Sequence, residues 1–185
     1  MDKSRVLKVL AVDRGSVYEL TITGSLTESS ELSLAGVPRG RRVVVDVGGL
    51  ASINSMGIRT WTNFLSGLSR ISDQVSIRRL PPRMVSQAGM VKNFLDGAIV
   101  ESFYAPYCCE ECGHETLELL PSYAALPELT GCPECGESMF FDDLMESYLA
   151  FRSDTEQADT VPADPPLHLM LDPGSSEDTT TRSAF

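Results

Sequence analysis

Histidine is almost missing from this chain, with two in 185 residues. There is no Ser/His/Asp arrangement with supporting context and no phosphate-binding glycine loop, so a binding role is expected and not an enzyme. Long hydrophobic runs are also missing. No stretch approaches the roughly 18–20 apolar residues needed to cross a bilayer. The opening "MDKSRVLKVLAVDRG" has no uninterrupted apolar core and no small-residue cleavage site, so no secretory signal is read and the cytoplasm is expected. Basic residues run out part-way. Residues 1–104 carry 13 Lys and Arg against 9 Asp and Glu, residues 105–152 carry one against ten, and residues 153–185 one against seven. Phosphate backbones are held by cations, so direct nucleic-acid binding through the two acidic segments is excluded.

What is present is ordinary for a soluble domain, at 42% hydrophobic and 22% charged. "RVLKVLAVDR" (5–14) and "SVYELTIT" (16–23) read as strands joined by a Gly15-Ser16 turn. "TESSELSLAGV" (27–37) reads as a short helix with Thr27 as N-cap. "RRVVVDV" (41–47) is a β-branched run suited to a strand buried on both faces. Ile58, Trp61, Phe64, Leu65, Leu68 and Ile71 then recur at helical spacing. "DQVSIRRL" (73–80) is a strand, "PPRMVSQAGMVKNFL" (81–95) a helix opened by proline, and "GAIVESFYA" (97–105) a final strand. This order predicts an α/β (α+β) fold, a mixed sheet with helices packed on one face.

All five cysteines lie in 108–136. Cys109-x-x-Cys112 and Cys132-x-x-Cys135 have the spacing of a four-thiolate zinc site, since two-residue spacers let both sulfurs of a pair reach one ion. Gly113 and Gly136 follow each pair and permit the positive φ that turns backbone N–H groups toward sulfur. One structural Zn2+ is expected, with no open position for catalysis. A redox dithiol pair and metal-free disulfides are the rivals. Cys108 reads as a spectator and His114 as a surface residue. The segment 105–141 resembles a zinc ribbon. An amphipathic helix is expected over 142–152, started near Asp142. The Pro-, Asp-, Ser- and Thr-rich stretch 153–185 is expected to be disordered, and its "LHLML" (167–171) reads either as a docking peptide or as incidental.

The stretch "VVVDVGGLASINSMGIRTW" (43–61) resembles the signature of STAS domains, found in bacterial anti-sigma-factor antagonists. There a hydrophobic strand ending in Asp leads through a short Asp-Ser-Ser-Gly-like loop to a helix. The resemblance covers residues 1–104 and implies a STAS-like mixed sheet. It places Asp46 at the strand-end acid, Ile53 at the buried aliphatic and Ser55 at the serine that a partner kinase phosphorylates. Gly57 and Ile58 fit the Gly-aliphatic pair. Asn54 and Met56 depart from the Asp and the second Ser or Thr of the pattern.

From its type alone Ser55 is expected to cap the helix, accepting from the N–H of Gly57 or Ile58. A helix N-terminus also favours an anion, so a phosphate there suits the helix while adding charge to any docked surface. The implied function is a signalling module that binds an anti-sigma kinase or a STAS-containing assembly through residues 53–70. Its candidate contacts are Asn54, Ser55, Met56, Arg59, Thr60, Asn63 and Ser66. The alternative is a non-switching scaffold that docks through the acidic ribbon. Partner, pathway and oligomeric state are not read from the sequence.

Overall fold

Strand order in the larger sheet follows chain order. In the computed structural model, which describes residues 6–128 and 131–152, β1 (Lys8–Asp13), β2 (Val17–Leu26), β3 (Arg42–Ile53), β4 (Gln74–Arg78) and β5 (Ile99–Val100) lie side by side. β1 runs antiparallel to β2, and every later pair is parallel. The crossover after β3 is α1 (Ser55–Ile71) and that after β4 is α2 (Pro82–Met90). A second sheet of order β7-β6-β8 follows, from β6 (Ser102–Cys108), β7 (Glu115–Pro121) and β8 (Phe140–Phe141), and α3 (Met145–Tyr148) closes the described chain. The fold is α+β, as expected. Among the described residues no helix is long and apolar enough to cross a membrane.

Side-chain alternation sorts the large sheet into two unlike faces. Leu20, Ile22, Val43, Val45, Val75, Ile77 and Val100 are buried beneath Trp61, Leu65 and Leu68 of α1 and Met84 and Val85 of α2. Among the described residues the other face carries no helix. A chain of ion pairs crosses it, from Arg14 to Glu19, to Arg78, to Glu101, to Arg42. Val44 and Ser76 sit on this face, yet each is only 1% exposed. The valine run is therefore buried on both faces as read, with charged side chains forming the second cover.

Several expected elements differ. Residues 27–37 form turns and not a helix. The Thr27 N–H donates to Ser30 Oγ at 2.9 Å, Ser30 Oγ donates to the Ser25 carbonyl at 3.0 Å, and the Ala35 N–H donates to Ser33 Oγ at 3.1 Å. These local bonds compete with the helical ladder. β3 runs on to Ile53, so Asp46 lies within the strand, where it accepts from Arg79 Nε at 2.9 Å. α2 stops at Met90, although Phe94 and Leu95 still reach the core from the turns beyond it.

The stretch 97–105 divides at Glu101. Ile99–Val100 closes the large sheet, and Ser102–Cys108 opens the small one, so the expected boundary after residue 104 falls inside β6. The two sheets touch through backbone, with Leu80 N–H donating to Ser102 O and Tyr104 N–H donating to Leu80 O. Their cores are continuous. Phe103, Tyr107, Cys109, Cys132, Met139, Tyr148 and Phe151 belong to one cluster with the large sheet's valines.

The expected helix over 142–152 forms only from Met145, with Leu144 at its cap position and no side-chain cap bond. It packs beside α2 on the inner face of β6. Phe103 meets Phe151 edge-on at 5.4 Å, Phe141 meets Tyr148 at 5.3 Å, and the Arg152 guanidinium lies 5.4 Å over the Phe103 ring. Residues 153–185, including Leu167–Leu171, lie outside the described residues.

Candidate metal centre and the loop before α1

The four cysteines singled out by spacing converge. One sulfur each from Cys109, Cys112, Cys132 and Cys135 lies within 4.8 Å of the others. Cys109 Sγ is 3.5 Å from Cys135 Sγ, and Cys112 Sγ is 3.6 Å from Cys132 Sγ. Sulfurs arranged tetrahedrally at about 2.3 Å from one ion stand about 3.8 Å apart, so this cluster can hold one metal ion. All five cysteines are free thiols.

The two halves are built alike. In the first, the Cys109 N–H donates to His114 O at 2.9 Å and the Gly113 N–H to Cys109 O at 2.8 Å. In the second, the Cys132 N–H donates to Glu137 O at 2.6 Å and the Gly136 N–H to Cys132 O at 2.8 Å. Gly113 and Gly136 take φ of 71° and 82°, the left-handed conformation each turn requires. Each half gives one buried sulfur, Cys109 or Cys132, and one exposed sulfur, Cys112 or Cys135. Burial raises the Cys132 thiol, but N–H groups of Glu134 and Cys135 aimed at its sulfur, together with the Cys112 and Cys135 thiols, more than offset this and hold it at about 7. Cys108 stays outside the cluster, its Sγ donating to the Cys109 carbonyl at 3.7 Å. His114 contributes its backbone carbonyl and not its ring.

The second candidate region is the loop 53–57. Its N-cap is Asn54 and not Ser55. Asn54 is extended, at φ −108° and ψ 178°, and its Oδ1 accepts from the Gly57 N–H at 2.8 Å. Its own N–H donates to Leu26 O at 3.0 Å, which fixes it as the last non-helical residue. Its Nδ2 donates to Glu28 Oε2 at 2.9 Å. Glu28, whose carboxyl lies below its usual range through its own backbone N–H and Asn54, was not singled out by the sequence reading. It lies 26 residues from Asn54, in the stretch expected to be helical, and no local pattern links the two.

Ser55 is the first helical residue. Its side chain is exposed and makes no hydrogen bond among the described residues. Met56, Arg59 and Asn63 are also exposed, while Thr60 and Ser66 are half-buried. Thr60 Oγ1 donates to Met56 O at 3.2 Å. A shallow groove of about 380 Å3 runs along this face, closed by Lys92, Asn93 and Asp96 from the turns after α2. The cysteine cluster and the α1 loop are separate sites. No family model, curated protein or solved structure matches the chain.

Proposed function

We propose that this chain is a cytoplasmic, non-enzymatic signalling module of STAS-like type, in which α1 and the loop before it bind a protein partner. Phosphorylation of Ser55 relieves that binding. The observation that carries this reading is the division of labour between neighbours. Asn54 caps α1, which leaves the Ser55 hydroxyl unbonded and exposed at the first helical position. A phosphate there meets a helix N-terminus with no acidic residue in its first turn, so the helix tolerates the added charge of about −1.5 to −2. A docked partner would not. By the resemblance in residues 43–61, that partner is an anti-sigma kinase or another STAS-containing assembly.

The four-cysteine cluster, in this reading, holds one Zn2+ as a structural ion. Four soft thiolate donors within 4.8 Å of one another suit zinc, and four protein sulfurs leave no position for water.

Mass spectrometry of protein from its native cells, with Ser55→Ala and Ser55→Asp compared in pull-downs, tests the switch. The expected result is a phosphate on Ser55 and partner capture by the alanine variant alone. Absence of phosphate, with both variants binding alike, sinks it. A second reading rests on charge: the ribbon exposes Glu110, Glu111, Glu134 and Glu137 around the cysteines. If that surface is the docking site, charge reversal at these glutamates abolishes capture while Ser55 substitutions leave it intact.

A further inference from the structure

We propose that the outer face of the small sheet, with the cleft between it and the end of β3, binds an extended segment of a partner protein. That segment is apolar at alternate positions and flanked by lysine or arginine. Phe103, Ala105 and Tyr107 of β6 point into the core, so Tyr104, Pro106 and Cys108 point away from it. Opposite residues of paired strands share a face, which sets Leu119 beside Tyr104, Leu117 beside Pro106 and Phe140 beside Cys108. Leu117, Leu119 and Phe140 are 51%, 47% and 53% exposed. With Tyr104 and Pro106 they form one apolar patch that nothing covers among the described residues, and a contiguous patch of this kind marks an interaction site.

Tyr104, Pro106 and Leu117 also line a cleft of about 810 Å3, shared with Gly48, Leu50 and Ala51 of β3 and with Pro81-Pro82. β3 pairs with β4 only as far as Asp46, opposite Arg78, and then runs on to Ile53. The chain turns away at Pro81-Pro82, which has no N–H to extend the ladder. Past Asp46, that edge of β3 has no strand partner among the described residues, which leaves backbone groups open to an added strand. The cleft therefore offers main-chain pairing on one wall and apolar side chains on the other, the combination that recognises an extended peptide.

Charge selects the occupant. The Asp142 N–H donates to Pro106 O at 3.0 Å, which places Asp142 at the patch, where with Glu115 it lines the cleft. Arg83 is the single cation in that lining. Glu110, Glu111, Glu137 and Asp143 are exposed on the same module, and residues 105–152 carry ten acids against one base. A rim of this sign attracts cationic flanks and repels partners of its own sign. A second copy would bring the same ten acids against ten. Residues 153–185, with seven acids against one base, carry that sign too, as does a nucleic acid.

The test selects phage-displayed random peptides on the full-length, metal-loaded protein and measures the strongest of them, synthesised, by fluorescence anisotropy. Expected are sequences that alternate apolar residues between lysines or arginines, with an affinity that falls as salt is raised. Leu117→Ser with Leu119→Ser, both half-exposed and checked for an unchanged fold by circular dichroism, should weaken binding about tenfold or more. Glu115→Lys with Asp142→Lys should weaken it as well and leaves the apolar patch in place. A selection that enriches nothing, or enriches acidic sequences, overturns the proposal, as does an affinity that the paired serine variant leaves unchanged. A dimer in sedimentation that this variant dissolves assigns the face to a second copy and overturns it equally. Neither Ser55 nor α1 takes part, so failure here leaves the reading of α1 standing.

Discussion

Asn54 Oδ1 lies 2.8 Å from the backbone nitrogen of Gly57, so α1 is capped by the residue before Ser55. Asn54→Ala should therefore lower stability by about 1 kcal/mol, the usual worth of a side-chain N-cap. Ser55→Ala should leave it within about 0.5 kcal/mol, as for a surface position without such a contact. Urea denaturation of both variants checks this. Asn54→Asp keeps the cap oxygen but turns its second carboxylate oxygen toward Glu28, which now receives the Nδ2 donor. It should fall between the wild type and Asn54→Ala, and approach the wild type as salt is raised.

Gly57 is tied to Leu26 as closely as to Asn54. A Cβ built on Gly57 would stand 2.2 Å from the Leu26 carbonyl oxygen, where no side chain can shift to relieve it. Gly57→Ala gains about 1 kcal/mol of helix propensity. The forced separation of α1 from the end of β2 costs more, so we expect a net loss of about 1–3 kcal/mol and a lower thermal midpoint. A variant at or above wild-type stability would show that the crossing is not tight.

The parts of the fold set by local pattern were legible in advance. The valine run of β3, the apolar stripe from Ile58 to Leu68 and the paired CxxC turns each carry their own periodicity or spacing. Most of the departures from that pattern are decided at long range. Glu101 splits 97–105 into two strands because Arg78 and Arg42, 23 and 59 residues away, take its carboxylate on the open face of the large sheet. Asn54 and Ser55 are equally good caps by type. The bond from the Asn54 N–H to Leu26 O chooses between them, and nothing in "INSMG" reveals that bond. The stretch 27–37 reads as a helix, but its serine hydroxyls bond the local backbone and leave Leu32, Leu34 and Val37 packed on the core from turns.

Acid should remove one identifiable contribution. Arg41 grips Asp13 with two hydrogen bonds, of 2.8 and 3.0 Å, and the Gly15 N–H donates to the same carboxylate. Together these hold its carboxyl at about 2, below the ordinary aspartate value near 3.9. A carboxyl depressed in the folded state stabilises fully above the unfolded value and loses that effect as pH falls toward 2. Asp13→Asn should thus be less stable than wild type at pH 6, with the gap closing between about pH 4 and 2. Urea midpoints measured across that range check it. A gap that stays constant with pH would exclude Arg41–Asp13 as the source.

Metal removal should be felt far from the cysteines. Cys109 and Cys132 are 0% and 3% exposed and share one core with Tyr107, Phe103 and the valines under α1. The single tryptophan, Trp61, belongs to that core and donates from Nε1 to Phe94 O at 3.0 Å, so its fluorescence reports on the large sheet. Metal bound to the folded cluster adds its binding free energy to folding. Where ribbon and sheet unfold as one unit, chelation lowers the Trp61 midpoint together with the signal from the ribbon. Separate cores would leave the Trp61 transition in place while the ribbon melts early, and that outcome would refute the continuity of the core. Between the ligands, Cys132→Ser should cost more than Cys135→Ser. Both lose the metal, but only the first leaves a hydroxyl in a buried site shaped for sulfur. The difference should persist in chelator, where the metal no longer contributes, and comparing the two variants with and without it separates packing from ligation.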